Sequence, residues 1–388
     1  MKSINTILIA NRGEIASRVI RTCKSMGIKT IAIHSPIDHN SPYTQEADLA
    51  VSIGDNSPSS SYLNQKLIIK TAINHGADAI HPGYGFLSEN VDFAENCKKA
   101  NLIFIGPNTK AIQAMGSKSE AKILMNKHQV PTIPGYQGKN QNTENLINES
   151  LKIGFPLLLK ATAGGGGKGM RVVEKKKDLK KAIESAKRES LSAFANDELI
   201  IEKYITNGRH IEFQIFGDQH GNAIHLLERE CTIQRRHQKV LEESPSPVMT
   251  KELRIKMGEA SVNAAKALNY DNAGTVEFIY DDQTKEFFFL EVNTRLQVEH
   301  PVTELVTGLD LVKMQIESAE GKQLKLKQED VKSNGYAIEL RLYAEDPLNN
   351  FLPVTGNVNT FTYPEVDGLR IESAINSGSP IFQFFMIQ

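Results

Sequence analysis

The sequence has few cysteines, little charge imbalance and no long apolar run, and each shortage narrows the reading. Cys23, Cys97 and Cys231 are the only thiols. They are odd in number and far apart, so neither a disulfide framework nor a metal-binding spacing follows, and a reducing, cytoplasmic setting is expected. A formal net charge of −1 argues against nucleic acid as a principal partner. No apolar stretch approaches membrane-spanning length, and the amino terminus shows neither a long h-region nor an Arg-rich presequence, so no membrane, export or import role is expected. Repeats and low-complexity segments are missing too. The 388 residues are enough for two or three domains, and their balance of 40% hydrophobic and 23% charged residues is that of a soluble globular chain.

Glycine, by contrast, is concentrated in one stretch, KATAGGGGKGMRVV at residues 160–173. A Walker loop requires Ser or Thr after Gly-Lys, and here Gly169 follows Lys168. The spacing of Gly164, Gly166 and Gly169 fits a dinucleotide fingerprint, but that motif must open a helix. MRVVE alternates and is β-branched, which predicts a strand. A glycine loop between two strands is a hairpin tip, of the kind that covers ATP phosphates in kinases.

Strand and helix signals alternate through the amino-terminal part: INTILIA, GEIASRVIRTCKSMG, KTIAIHS, LIIKTAINHG, ADAIHPG, NVDFAENCKKAN and LIFIG. Helices of this length between strands predict an α/β fold with a parallel sheet covered on both faces. A boundary is expected near Pro131 to Pro134. The division read from the chain is residues 1–115, a connecting helix and linker at 116–135, a small unit with the glycine hairpin at 136–204, and a mixed remainder at 205–388.

The chemistry is densest in EFFFLEVNTRLQVEHP. If that segment is extended, Glu291, Asn293, Arg295, Gln297 and Glu299 share one face. FFFL suggests burial on both sides, where two carboxylates and a guanidinium are costly unless a ligand or ion is present. GTVEFIY precedes it across the turn-rich DDQTK. A hairpin centred on Thr284 sets Glu277 opposite Glu291, a destabilising pair of like charges. Carboxylates with Asn293 and no neighbouring His or Cys suit Mg²⁺ or Mn²⁺. QRRHQKVLEESPSP adds Arg235, Arg236 and Lys239, read as a cationic pocket for anionic substrates, with a solvated ion-pair face as the alternative. Lys160 ends the run FPLLL just before the glycine loop, and Lys118 completes the set.

Taken together, NRGEIASRVIR, HPGYGFLSEN, KATAGGGGKGMRVV, RRHQKVLEESPSP, EVNTRLQVEHPVTE and ELRLYAEDP resemble the biotin carboxylase module of biotin-dependent carboxylases, an ATP-grasp ligase. The resemblance runs from about Ile4 to Ile371. It implies a Rossmann-like amino-terminal domain, a small mobile lid and a carboxy-terminal α+β domain. Lys118 and Lys160 would hold ATP phosphates beneath the amides of Gly166 and Gly167. Glu202, Lys203, Tyr204 and Ile205 would grip adenine, while His210, Gln234 and His237 reach the ribose and phosphates. Glu277, Glu291 and Asn293 would bind magnesium or manganese. Lys239, Arg295 and the Val298 backbone would hold bicarbonate, Glu299 would be the general base, and Arg341 would face the biotin ureido oxygen.

The expected reaction is ATP- and bicarbonate-dependent carboxylation of biotin, the first half-reaction of an acyl-CoA carboxylase (methylcrotonyl-, propionyl- or acetyl-CoA) or a pyruvate carboxylase. The end, ESAINSGSPIFQFFMIQ, departs from the family pattern and reads as a truncation that removes the last elements. The chain also lacks a Met-Lys-Met biotinylation motif, so a biotin carboxyl carrier protein or domain and a carboxyltransferase subunit are expected partners, with a homodimer possible. Another ATP-grasp carboxylate ligase and an inactive nucleotide-binding remnant are the alternatives.

Overall fold

The structure is a computed structural model and describes residues 3–162, 170–236 and 238–381. The amino-terminal part forms a parallel five-stranded sheet in the order β3-β2-β1-β4-β5. Its strands are β1 (Thr6–Ile9), β2 (Lys29–His34), β3 (Leu49–Ser52), β4 (Ala79–His81) and β5 (Ile103–Phe104). Helix α1 (Gly13–Ser25) lays Ile15, Ala16, Val19, Ile20 and Cys23 against the sheet, a spacing that keeps one helical face apolar. Helices α2 (Pro42–Glu46), α3 (Gln65–Asn74), α4 (Val91–Lys99), α5 (Thr109–Met115) and α6 (Lys118–Lys127) follow in order. Strands β1 and β4 pair directly, so the chain reverses its direction of winding there. Ligand crevices in open α/β sheets form at such a switch point. Asn11 clamps this edge by donating to the carbonyls of Pro82 and Tyr84, both at 2.7 Å.

A second sheet has the order β6-β9-β7-β8. It comprises β6 (Gly135–Tyr136), β7 (Leu157–Ala161), β8 (Met170–Val173) and β9 (Leu199–Lys203), backed by α7 (Thr143–Ile153) and α8 (Lys176–Phe194). Strands β7 and β8 pair antiparallel, as expected of a hairpin flanking the glycine stretch.

The largest sheet is antiparallel and six-stranded, in the order β14-β13-β10-β11-β12-β15. Its strands are β10 (Gly208–Gly217), β11 (Ala223–Arg235), β12 (Gln238–Ser244), β13 (Asn272–Asp281), β14 (Phe287–Asn293) and β15 (Ala337–Leu340), joined by helices α9 (Lys251–Ala267), α10 (His300–Thr307) and α11 (Leu311–Ala319). Period two divides its faces. Ile211, Phe213 and Ile215 pack with Met257, Ala260 and Ala264 of α9, so Glu212 and Gln214 turn to the opposite face. Both are completely buried, and a buried polar side chain needs partners. Along β15 and the residues beside it the alternation leaves Tyr336, Ile338, Leu340 and Leu342 exposed. Among the described residues no helix is long and apolar enough to cross a membrane.

Candidate active site

The polar face of the six-stranded sheet forms the floor of the site. The expected register holds where it matters: Glu277 stands directly opposite Glu291, and Thr275 opposite Asn293. The turn itself departs from the symmetric hairpin. Phe278 pairs with Phe289, so a bulge at Leu290 takes up the difference. The extended reading of residues 291–299 is overturned, because β14 ends at Asn293 and the chain turns into α10. Arg295, Gln297 and Glu299 reach the site from that turn rather than from a strand face.

Lys239 is the hub. Its Nζ donates to Glu212 Oε2 at 2.5 Å, Glu277 Oε1 at 3.0 Å and Glu299 Oε1 at 2.5 Å. Burial alone would lower the lysine pKa, but Glu212, Glu277 and Glu299 outweigh it and raise it well above the usual range. The second oxygen of Glu299 accepts from Arg341 at 2.9 Å, and Arg341 Nε donates to Glu242 at 2.7 Å. Burial would raise the pKa of Glu299, yet Lys239, Arg341 and Arg229 together hold it well below the carboxylate range.

Glu277 is similarly held down, burial being outweighed by Lys239 and His210, whose Nε2 lies 2.9 Å from its Oε2. Gln234 Nε2 meets His210 Nδ1 at 3.0 Å. Asn293 and Gln297 also donate to Glu277, at 2.7 and 3.1 Å. Glu291 is exposed, although protein crowds around it. That crowding, followed by the charge of Glu277, raises its pKa, with Lys118 opposing. A facing carboxylate that resists ionisation is what a hard cation would relieve, so the oxygen donors of Glu277, Glu291 and Asn293 fit Mg²⁺ or Mn²⁺. His210, Glu212 and Glu277 also bring one ligand atom each within 4.8 Å, as do Glu212, Cys231 and Glu299. Each of these two sets has a His or Cys in place of an oxygen donor, which suits a hard cation less well.

Across the cleft, Lys160 Nζ lies 2.5 Å from Glu202 Oε2 and Lys122 Nζ lies 2.9 Å from Oε1. Lys203 Nζ donates to the Phe155 carbonyl at 2.6 Å, and the Tyr204 amide bonds to that of Pro156 at 2.9 Å. Ile205 follows Tyr204 just beyond the end of β9, and Val298 lies in the turn before α10. Arg295 Nε donates to Glu89 at 2.9 Å, and Glu89 also accepts from the Thr294 amide at 3.0 Å. The first basic cluster divides: Arg235 pairs with Glu345 over the Phe351 ring, away from Lys239. Gly166, Gly167 and His237 lie outside the described residues, as does the terminal run from 382 to 388.

Sequence reasoning missed Glu212, Arg229, Lys122, Glu89 and Glu242. Only period two along HIEFQIFG and LLERECT, applied once the face toward the site was known, would have found Glu212 and Arg229. The helical Lys122 carried no signal.

Comparison with known proteins bears on this geometry. Residues 3–112 match the profile of the biotin carboxylase N-terminal domain, 117–327 that of the carbamoyl-phosphate synthase L chain ATP binding domain, and 339–385 that of the biotin carboxylase C-terminal domain. Biotin carboxylase 2 of Bacillus subtilis is 52% identical, over 98% of this chain and 85% of that protein. The mitochondrial methylcrotonoyl-CoA carboxylase subunit alpha of Dictyostelium discoideum is 51% identical over 99% of this chain, which spans only 55% of that subunit. The biotin carboxylase domain dimer of Hydrogenobacter thermophilus 2-oxoglutarate carboxylase, solved with MgADP, ADP and bicarbonate, superposes with a TM-score of 0.91 at 46% identity, covering 99% of this chain and 84% of that one.

Proposed function

This chain belongs to the biotin carboxylase family of ATP-grasp ligases, and on that premise we propose that it carboxylates biotin on a carrier, using ATP and bicarbonate. The observation that carries the reading is Lys239 shared among Glu212, Glu277 and Glu299, with Arg341 on the far oxygen of Glu299. A base and two cations are thus set beside a pair of facing carboxylates. An anion of bicarbonate size entering there would draw Lys239 from the carboxylates, joined by Arg295 and the Val298 amide. Freed of part of its ion pairing, Glu299 becomes a better base and takes the bicarbonate proton. Glu277, Glu291 and Asn293 would hold Mg²⁺ or Mn²⁺, which when bound offsets charge on the transferring phosphoryl group.

Lys118 and Lys160, with the Gly166 and Gly167 amides, are assigned to the ATP phosphates. Glu202, Lys203, Tyr204 and Ile205 are assigned to adenine, and His210, Gln234 and His237 to the ribose and phosphates. The deprotonated bicarbonate oxygen attacks the γ-phosphorus of ATP and ADP leaves, giving carboxyphosphate. This splits into CO₂ and phosphate, and the phosphate takes the N1 proton of biotin. N1 bonds to CO₂ while Arg341 stabilises the negative charge developing on the ureido oxygen. Breaks near 115, 135 and 204 divide these roles between the three sheets. A biotinylated carrier and a carboxyltransferase complete the reaction on an acyl-CoA or keto acid, and the subunit pairs with a second copy. The three free, buried cysteines support a cytosolic setting.

The test is bicarbonate-dependent ATP hydrolysis in the presence of Mg²⁺, stimulated by free biotin. Hydrolysis that ignored bicarbonate would point to another ATP-grasp ligase, and none at all to a nucleotide-binding remnant. Arg341→Ala should lose the biotin stimulation to a greater extent than the basal hydrolysis.

A further inference from the structure

Arg229 is fully buried on β11, and each of its five N–H donors meets an acceptor. Nε donates to Glu212 at 2.6 Å. One terminal nitrogen donates to Gln214 and Thr303, both at 2.8 Å. The other donates to Thr275 at 3.1 Å and Gln297 at 3.0 Å. A purely structural arginine needs acceptors, but it does not need three of its five to lead to groups of the site, as Glu212, Gln297 and Thr303 do. These lead there by three routes.

The first runs through Glu212. Arg229 claims Oε1 and leaves Oε2 to meet Lys239 at 2.5 Å, so the guanidinium decides which carboxylate oxygen the ammonium is drawn to. The second runs through Gln297. A guanidinium only donates, so the amide oxygen of Gln297 must face Arg229 and its nitrogen must face Glu277. An amide that would otherwise turn over freely is fixed by that demand. The third runs through Thr303 on α10. Glu299 is the residue that precedes this helix, so docking α10 to the sheet fixes the position of the base.

We propose that Arg229 is a positioning residue for the bicarbonate subsite: it aims Lys239 through Glu212 and holds the Gln297–Glu299 turn against the sheet. This rests on the functional reading above. Arg229→Lys in the full chain keeps the charge but loses the planar five-donor fork. The expected result is a KM for bicarbonate raised about tenfold or more, with the KM for ATP within about threefold of wild type. Thr303→Val, which replaces the hydroxyl that docks α10 by a methyl and leaves one Arg229 N–H unmet, should raise the same constant by about threefold with only a small fall in melting temperature.

Both KM values unchanged, or both altered equally in step with a lower melting temperature, would overturn the proposal. If Arg229→Lys does not fold, an unchanged KM for bicarbonate in Thr303→Val overturns it alone. A wild-type chain without bicarbonate-dependent hydrolysis would sink the functional reading instead. The crystal structure of a variant would then decide. Displacement of Lys239 from Glu299, reversal of the Gln297 amide or movement of α10 supports positioning, and an unmoved site overturns it.

Discussion

A carboxylate that faces another across a strand pair must gain a partner, hold its proton or weaken the pairing. Glu277 takes the first course, with Lys239 and His210, whereas crowding and then the charge of Glu277 raise the pKa of Glu291. Because the folded chain binds the Glu291 proton more tightly than the unfolded one, ionising it costs stability as pH rises through the raised range. Without metal, Glu291→Gln should therefore melt no lower than wild type at neutral pH. Saturating Mg-ATP at about 100 Kd should stabilise wild type by about 2.7 kcal/mol, with little shift in the variant. An equal shift in both, read by thermal melting, would remove Glu291 from the metal site.

Glu14 on α1 provides a second titration. Burial and then Glu372 raise its pKa from 4.5 to about 8, against Arg341, Arg18 and Arg21. For an acid raised on folding, the penalty is absent below the unfolded value and grows between pH 4.5 and 8. Glu14→Gln should leave the urea midpoint unchanged near pH 4 and raise it near pH 9. A difference independent of pH would mean that Glu14 is not the group responsible.

At the scale of elements, the second sheet is fastened to α6 by one buried carboxylate. Glu202 on β9 bridges Lys122 of α6 and Lys160 of β7, and Glu202 is held ionised below its usual range because the two lysines outweigh burial. Removing one partner of a buried pair costs about 3–5 kcal/mol, and the remaining Lys160 should place Lys122→Ala at the lower end. The loss should be local. Amides of β6, β7 and β9 should exchange faster while those of β1 and β4 keep their protection, as read by hydrogen exchange. Uniform acceleration across all three sheets would mean that Lys122 supports the whole fold rather than this joint.

For the whole molecule, the joint between the parallel sheet and the six-stranded sheet runs through Arg18. From α1 it reaches Glu304 of α10 at 2.6 Å and Asp310 at 2.9 Å, in a buried setting. Losing it costs about 3–5 kcal/mol of a net stability of about 5–15 kcal/mol. Arg370, 2.8 Å from Glu304, softens the loss. Arg18→Met should lower the urea midpoint and split a single unfolding transition into two, followed by far-UV dichroism and by fluorescence of a probe on α1. One transition at the wild-type midpoint would show that Arg18 does not hold the joint.

What was legible in the sequence is local in origin. Alternation, helical spacing and turn residues gave the parallel sheet, the β7–β8 hairpin and the facing of Glu277 and Glu291, because each depends on neighbours along the chain or across one short turn. The small β3 and α2 carried too little pattern to be separated from loop. The run from Glu291 to Glu299 was misread as a single strand because alternation of polar residues looks the same in an extended chain and in a turn that wraps a site. Glu212, Arg229 and Lys122 could not be found from local pattern. Their importance comes from which strand lies beside which, and β11 brings Arg229 to Glu212, Thr275 and Gln297 only once the order β13-β10-β11 is set. A side chain's type is written in the sequence, but the partners that fix its charge and direction are chosen by the packing of distant segments.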